Sequence, residues 1–563
     1  MTASEPRLYL TPDEADVIRG ARDRRAEIRR NVVASAIELS NLPVRTRWIP
    51  PEGDDRDYEN LYDRFYAAMS DAAILEQLAF GALLSGRADL SAAASRWLVG
   101  VARAWRPEVA VVPDYGTAYS ISRLIKGVAV GWDLLAARLT PAERRVVRAV
   151  LVELVDHYWD GWYSQSASAD SAAHTHHAHL EWASLGVAAL ALDGQTDEAR
   201  IWLDAAIEKF QRDLVPFGLA DDGAQVEGAS FWASTMFYRF LFLDPLRRVS
   251  GLDLVAPAIG HFDADMSIAA IAGPRRRRIE TENESILLEP EYAQLGYHAP
   301  ALVALARLHR SPHLQALAGW DPWLGRLHES GHRLPSGERL RFCLGPYALA
   351  WFDPSVPARL GDARRAFQFP SVDEAYLRDR WSPGGLVVSV KSGRLAVHAG
   401  GRPVLVDLTP GRVVDRAASV AAGTGIYRWD PPDLDMAIES VVERPDGGRI
   451  RAVHAPSGAF VVVDLRRGRL RVERGDGATR AWWAAGGARR TGERWSWATS
   501  SGLSVMELVR GRLVRWSERG HRPERNVGYG RLRLLAERDP SRALTIVEPD
   551  SSGRLIVDIR LIP

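Results

Sequence analysis

Over the first 330 or so positions, hydrophobic residues recur at three- and four-residue spacing. The windows 74–85, 92–105, 121–139 and 141–159 all show this period, which predicts a succession of helices. Punctuation supports it. Thr140-Pro141-Ala142-Glu143 offers a cap, a proline at the first helical position and a carboxylate in the first turn. Gly86, Gly194 and Gly251 stand where helices should stop. Many helices joined by short links imply a bundle, a solenoid or a toroid, and periodicity alone does not choose among them.

From about residue 340 the period becomes two, as in 386–390 (LVVSV), 404–408 (VLVDL), 459–465 (AFVVVDL) and 470–473 (LRVE). Turn signals such as Pro445-Asp446-Gly447-Gly448 follow at short intervals, which predicts an antiparallel β-sandwich. Trp482, Trp483, Trp495 and Trp497 are candidate core residues, and 354–369 reads as a linker or first sandwich turn. The expected division is a helical domain over 1–335 and a sandwich over 336–563.

Composition narrows the function little. With 563 residues, the chain is too long for one hydrophobic core. Net charge is +1, so no global field selects nucleic acid or an anionic membrane, and an acidic ligand must be met by a local basic cluster. Cys343 is the single cysteine, so no disulfide forms within the chain. The N-terminus lacks the pattern of a secretory signal, and no run of 18 apolar residues occurs. The expectation is a cytoplasmic protein with no membrane partner and no nucleic-acid partner; a homo-oligomer stays open.

Four stretches carry candidate chemistry. His174, His176, His177 and His179 fall within six residues, with Glu181 following. On a helix His177 and Glu181 share a face. Such a pair suits acid–base work near neutral pH or metal binding, and equally a solvated helix start. Next, Asp221-Asp222-Gly223 is a turn signal, and Glu227 opens a helix with Phe231, Trp232, Phe237, Tyr238 and Phe240. An aromatic face lines a sugar cleft or fills a core, and Tyr238 beside a cation suits proton transfer. Arg275 to Arg278 could grip carboxylates or lie in a solvated loop. Tyr119 would sit in the first turns of a helix, facing a cleft or the core. There is no phosphate-cradling glycine loop, nucleophile elbow or cysteine-based zinc spacing.

Taken together, five segments resemble the heparinase II/III-like polysaccharide lyases in the same order: 62–105, 114–135, HTHHAHLEWASLGVAALAL at 174–192, DGAQVEGASFW at 222–232, and 369–393. The resemblance implies an (α/α) toroid followed by an antiparallel β-sandwich. It also implies carbon–oxygen lyase chemistry: β-elimination at a uronate, with tyrosine or histidine moving the proton and an amide donor meeting the carboxylate. The sequence departs from the family pattern in three places. Thr175-His176-His177 replaces Asn-Asn-His, Phe231 and Trp232 stand where tyrosine is usual, and the His-x-His stretch of the sandwich is either deleted or left with His398 as its only remnant. Asp407 matches the family acid without its histidine partners, so no metal and no other cofactor is expected. The expected catalytic residues are His177, Tyr238 and Glu181. The expected substrate-binding residues are His176, Glu227, Tyr119, Trp232 and His398. The substrate class is an acidic carbohydrate or another small acidic molecule. Two alternatives remain: an enzyme of specialised metabolism using the cleft for another elimination or cyclisation, and a non-catalytic glycan-binding protein.

Overall fold

The computed structural model describes residues 5–49, 58–110, 117–163, 175–225, 228–255, 295–333, 338–360, 363–382, 384–391, 393–400, 402–410, 413–414, 427–429, 436–478, 480–485, 487–499, 502–517, 520–524, 532–539 and 542–562. The helical period becomes a series of α-hairpins. In chain order these are α1 (Pro12–Gly20), α2 (Arg24–Ser40), α3 (Tyr58–Ser85), α4 (Ala88–Ala104), α5 (Thr117–Leu135), α6 (Pro141–Tyr158), α7 (His176–Leu192), α8 (Glu198–Lys209), α9 (Ala229–Ser250), α10 (Leu295–His309), α11 (Pro312–Ala318) and α12 (Tyr347–Trp351). Thr140 and Glu143 form the predicted capping box, with Pro141 in the first turn of α6. Gly86, Gly194 and Gly251 adopt positive φ at helix ends.

Helices α3, α5, α7, α9 and α10 pack side by side as an inner ring, and α2, α4, α6 and α8 lie outside them. Small residues let the inner helices approach closely. A Cβ on Gly127 of α5 would meet Ala72 of α3, and one on Gly131 would meet Leu75. Both pairs advance in the same sense, so α3 and α5 run parallel. The short α12 closes the ring by packing on α2 and α10, and its Tyr347 hydroxyl donates to Glu76 of α3. This is the toroid. Within α3, the stretch Arg64–Ser85 is long and apolar enough to cross a membrane, but it lies buried in this core.

The period-two half forms two eight-stranded antiparallel sheets. Edge to edge, the first runs Arg512–Ser517, Arg542–Glu548, Arg480–Ala485, Arg402–Pro410, Arg394–Ala399, Leu386–Lys391, Glu374–Arg378 and Ala366–Phe369. The second runs Ala437–Arg444, Gly447–His454, Ala459–Arg466, Arg469–Arg474, Leu555–Ile562, Gly502–Arg510, Arg494–Thr499 and Arg489–Thr491. A four-stranded sheet and the hairpin of His328–Arg333 with Arg339–Phe342 complete the set. Leu377, Val388, Val390, Val397, Val463, Val472, Trp495 and Trp497 fill the space between the two large sheets. Phe367, Phe369 and Tyr376 instead join the core of the helical body, which is how the sandwich is attached.

Candidate active site

Inner helices begin at residues 58, 117, 176, 229 and 295, and parallel packing brings their N-termini to one end of the toroid. The parallel sense holds at that end too. His176, first in α7, stacks on Phe231 near the start of α9 at 4.1 Å, and Trp232 of α9 stacks on His298 of α10 at 5.8 Å. Each helix start carries partial positive charge on its free N–H groups, so this end favours an anion.

The histidine cluster sits at that end and divides by burial. His176 is buried between Phe231 and His177, whose ring meets it edge-on at 4.4 Å. His177 is exposed, while Glu181, one turn further on, is buried. His179 is fully buried, with Nδ1 3.1 Å from the Thr175 carbonyl and Nε2 3.3 Å from Arg239 Nε. Nε2 is also 3.3 Å from the Leu214 carbonyl; because a guanidinium can only donate, the tautomer that serves both Arg239 and Thr175 has Nε2 accepting and Nδ1–H donating. Burial, reinforced by Arg239, drops the His179 pKa to about 3 and keeps the ring neutral. Arg239 also donates to the Leu214 carbonyl at 2.8 Å. His179 and Arg239 therefore tie the turn that presents His176 and His177 to the neighbouring inner helix. Nothing in the spacing of HTHHAHLEW distinguishes His179 from its neighbours; its role depends on Arg239, sixty residues away.

Other predicted residues fall differently. Tyr238 is fully buried, with Arg123 of α5 5.5 Å from its ring centre; the same cation lies 4.5 Å from the ring centre of Phe342. Trp232 is fully buried against His298. Both were expected on an open cleft; the aromatic stripe of α9 instead packs into the ring, because a helix touched on both sides has little face left for solvent. His398 is likewise buried, in the strand Arg394–Ala399, and burial lowers its pKa to about 3. Tyr119 lies in the first turn of α5, with its side chain outside the described residues. His174, Glu227 and Arg275 to Arg278 also lie outside them.

The sandwich adds a surface that the sequence reading missed. In the first sheet, Ala375, Leu377, Val388, Val390, Leu395 and Val397 point into the sandwich core. The alternate positions form cross-strand rows on the opposite face: Glu374–Lys391–Arg394, Tyr376–Ser389–Ala396 and Arg378–Val387–His398. Lys391 pairs with Glu374 at 3.1 Å, and all the polar members are buried. Tyr376 packs with the helical core, and Arg378 lies 3.7 Å from the centre of the Trp381 ring, which meets His313 of α11 edge-on. A polar, largely basic sheet face thus lies against the helical body. The signal was present as E-A-Y-L-R, S-V-K and R-L-A-V-H, in which polar residues alternate with aliphatic ones. Two further bonds join the two halves beside the candidate site: Ser371 donates through its amide (3.0 Å) and hydroxyl (2.7 Å) to Asp222, which precedes α9.

Asp407 has a structural role here. It accepts from Arg474 Nη1 at 2.9 Å, Trp482 Nε1 at 2.6 Å and the Leu395 amide at 3.1 Å. Among the described residues, no group of three or more histidine, cysteine, aspartate or glutamate side chains is arranged to hold a metal ion.

No family model matches the sequence, and no curated protein is recovered as its relative. Solved structures do match. A heparinase III structure superposes with a TM-score of 0.54 at 10% identity, covering 95% of this chain and 85% of the other. The chondroitin AC lyase of Streptomyces coelicolor A3, in complex with chondroitin sulphate, superposes with a TM-score of 0.53 at 11% identity, covering 97% and 82%. The chain therefore has the fold of these polysaccharide lyases along nearly its whole length, as a divergent example of it.

Proposed function

We propose that the protein is a carbon–oxygen lyase that cleaves a uronate-containing oligo- or polysaccharide by β-elimination. The observation that carries this reading is the exposed His177, beside the buried His176, at the converging N-termini of α7 and α9 in a polysaccharide-lyase fold. His177 would take the proton from the carbon next to the uronate carboxylate. The electron pair left there forms the double bond as the bond to the glycosidic oxygen breaks, and the same imidazole returns its proton to that oxygen. Imidazole suits both steps because it titrates near neutral pH. His176 and the free N–H groups of the helix start would meet the carboxylate and make the carbanion cheaper. With Tyr238 buried, His177 carries the proton in both directions. Glu181 and the His179–Arg239 pair position this turn.

The test is the ultraviolet absorbance of an unsaturated uronate product, screened over a panel of uronate polymers and oligomers. Turnover by the native chain, lowered about 10²-fold or more in His177→Ala with the fold intact, is the expected result. Near-normal turnover in His177→Ala would remove the assignment of that residue, and absence of unsaturated product from every uronate would remove the lyase reading.

A further inference from the structure

The second sheet of the sandwich packs its inner side on the first sheet, so its outer side faces away from the toroid. Two neighbouring rows of charge cross that outer side. In one, Arg449, Asp464, Arg471, Asp558, Glu507 and Arg494 stand opposite one another in turn. Opposite signs meet at every step but one: Arg471 pairs with Asp558 at 2.7 Å and Arg494 with Glu507 at 3.1 Å, so the single like-charge step, Asp558 opposite Glu507, has a cation on each side.

The next row is different. Arg466 stands opposite Arg469, and Arg469 opposite Arg560. All three are exposed. Arg466 reaches Asp464 at 3.3 Å and Asp446 at 3.7 Å, but among the described residues no carboxylate pairs with Arg469 or Arg560. Like charges directly opposite in a sheet repel one another. The arrangement thus carries a standing cost that an anion laid across it would relieve. Beside this row, Leu503 and Ile562 form a directly opposed pair, 41% and 48% exposed. Guanidinium groups one strand apart, roughly 4.8 Å, can each fork onto a carboxylate or sulfate. A sugar chain repeats its acidic groups on a comparable scale, and the CH faces of its rings suit the aliphatic flank.

We propose that the row Arg466–Arg469–Arg560 is a second, non-catalytic binding surface for an acidic polysaccharide strand. It would hold the polymer on the sandwich while another part of the chain is in the toroid. The choice of polysaccharide over another polyanion rests on the lyase reading and on the aliphatic flank, which offers no aromatic ring to stack a nucleobase.

The test uses the full-length chain carrying His177→Ala, so that binding is read without turnover. Polygalacturonate and its trimer are titrated at low salt by calorimetry, alongside a duplex DNA. Arg469→Glu with Arg560→Glu is expected to weaken polymer binding about tenfold or more, since two attractive contacts become repulsive ones. It should also flatten the salt dependence and leave trimer binding unchanged. Arg471→Ser, in the paired row, should leave polymer affinity as it was. Unchanged polymer binding in the double variant would overturn the proposal, as would tighter binding of DNA than of polygalacturonate. If the native chain binds the polymer through this row but releases no unsaturated product, the lyase reading fails while the binding surface stands.

Discussion

Two buried ion clusters hold the two halves of the molecule, and they are built differently. In the toroid, Glu76 of α3 accepts from Lys126 of α5 at 2.8 Å and from the Tyr347 hydroxyl of α12. One anion joins three ring elements. In the sandwich, Arg474 of the second sheet bonds Asp407 of the first sheet at 2.9 Å and Asp476 at 3.1 Å, and Arg480 of the first sheet also pairs with Asp476. Two forked cations and two anions staple sheet to sheet. The consequences for charge are opposite. Burial raises the Glu76 carboxyl, and Lys126 and Tyr347 only partly offset it. Burial also acts to raise Asp476, but Arg474 and Arg480 outweigh it, and the carboxyl titrates below its ordinary range. Planar guanidinium groups with several donors keep a buried carboxylate ionised more effectively than a single ammonium does.

The sharpest way to break this comparison is Arg474→Ala. It leaves Asp407 and Asp476 buried with a single cation between them, and should cost about 3–5 kcal/mol in denaturant unfolding near neutral pH. A deficit below about 1 kcal/mol would mean that the sheets do not depend on the staple. A depressed carboxyl adds stability that is present above its unfolded pKa and is lost as pH falls through the folded value. The deficit should therefore shrink in acid.

Glu76→Gln should cost less, about 1–3 kcal/mol, because the amide oxygen still accepts from its neighbours. Its pH trend should run the other way. A carboxyl whose folded pKa is raised contributes stability below its unfolded pKa and loses it as pH rises through the folded value. The Glu76→Gln deficit should thus be largest in acid and narrow toward neutral pH. Parallel trends for the two variants would show that the clusters do not differ as described.

His398→Gln tests the buried polar face of the first sheet. The folded protein refuses a proton at His398 until about pH 3, whereas the unfolded chain accepts one near 6.5. Between those values the native chain should lose stability relative to the variant by about 1.4 kcal/mol for each unit that pH falls, measured as the difference between paired denaturant melts. A constant difference across that window would place His398 in contact with water. The smallest expected effect is at the junction of the halves. Ser371→Ala removes the hydroxyl bond to Asp222 and should cost about 1 kcal/mol, read as faster amide exchange in residues 220–225.

Local signals carried further than the distribution of side chains between surface and core. The capping box at Thr140 and the helix stops at Gly86, Gly194 and Gly251 formed where the sequence placed them. These motifs act over a few residues, so their physics is complete within the local sequence. In the same way, the change of period from near four to two marks where helices give way to strands. The helical side nevertheless extends to Trp351, because Tyr347 and Trp351 find their partners in the ring and not in the sheets that follow.

Among the candidate residues, the sequence pointed to the turn that holds His176 and His177 because titratable side chains crowded at a helix start are unusual. It did not separate exposed His177 from buried His179, since histidines so close in sequence differ only in what other helices bring against them. The aromatic run from Phe231 to Phe240 could line a cleft or fill a core, and two-sided packing of α9 in the ring buried Trp232 and Tyr238. Asp407, with no metal-binding partners nearby in sequence, found Arg474 from the opposite sheet. By itself the sequence determined the periods, the stops and the residue types available for chemistry, because those follow from backbone geometry and side-chain identity. Which of those residues meet solvent, keep a proton or stand beside a cation was decided only by the tertiary structure, because desolvation and charge pairing depend on neighbours that lie tens to hundreds of positions away along the chain.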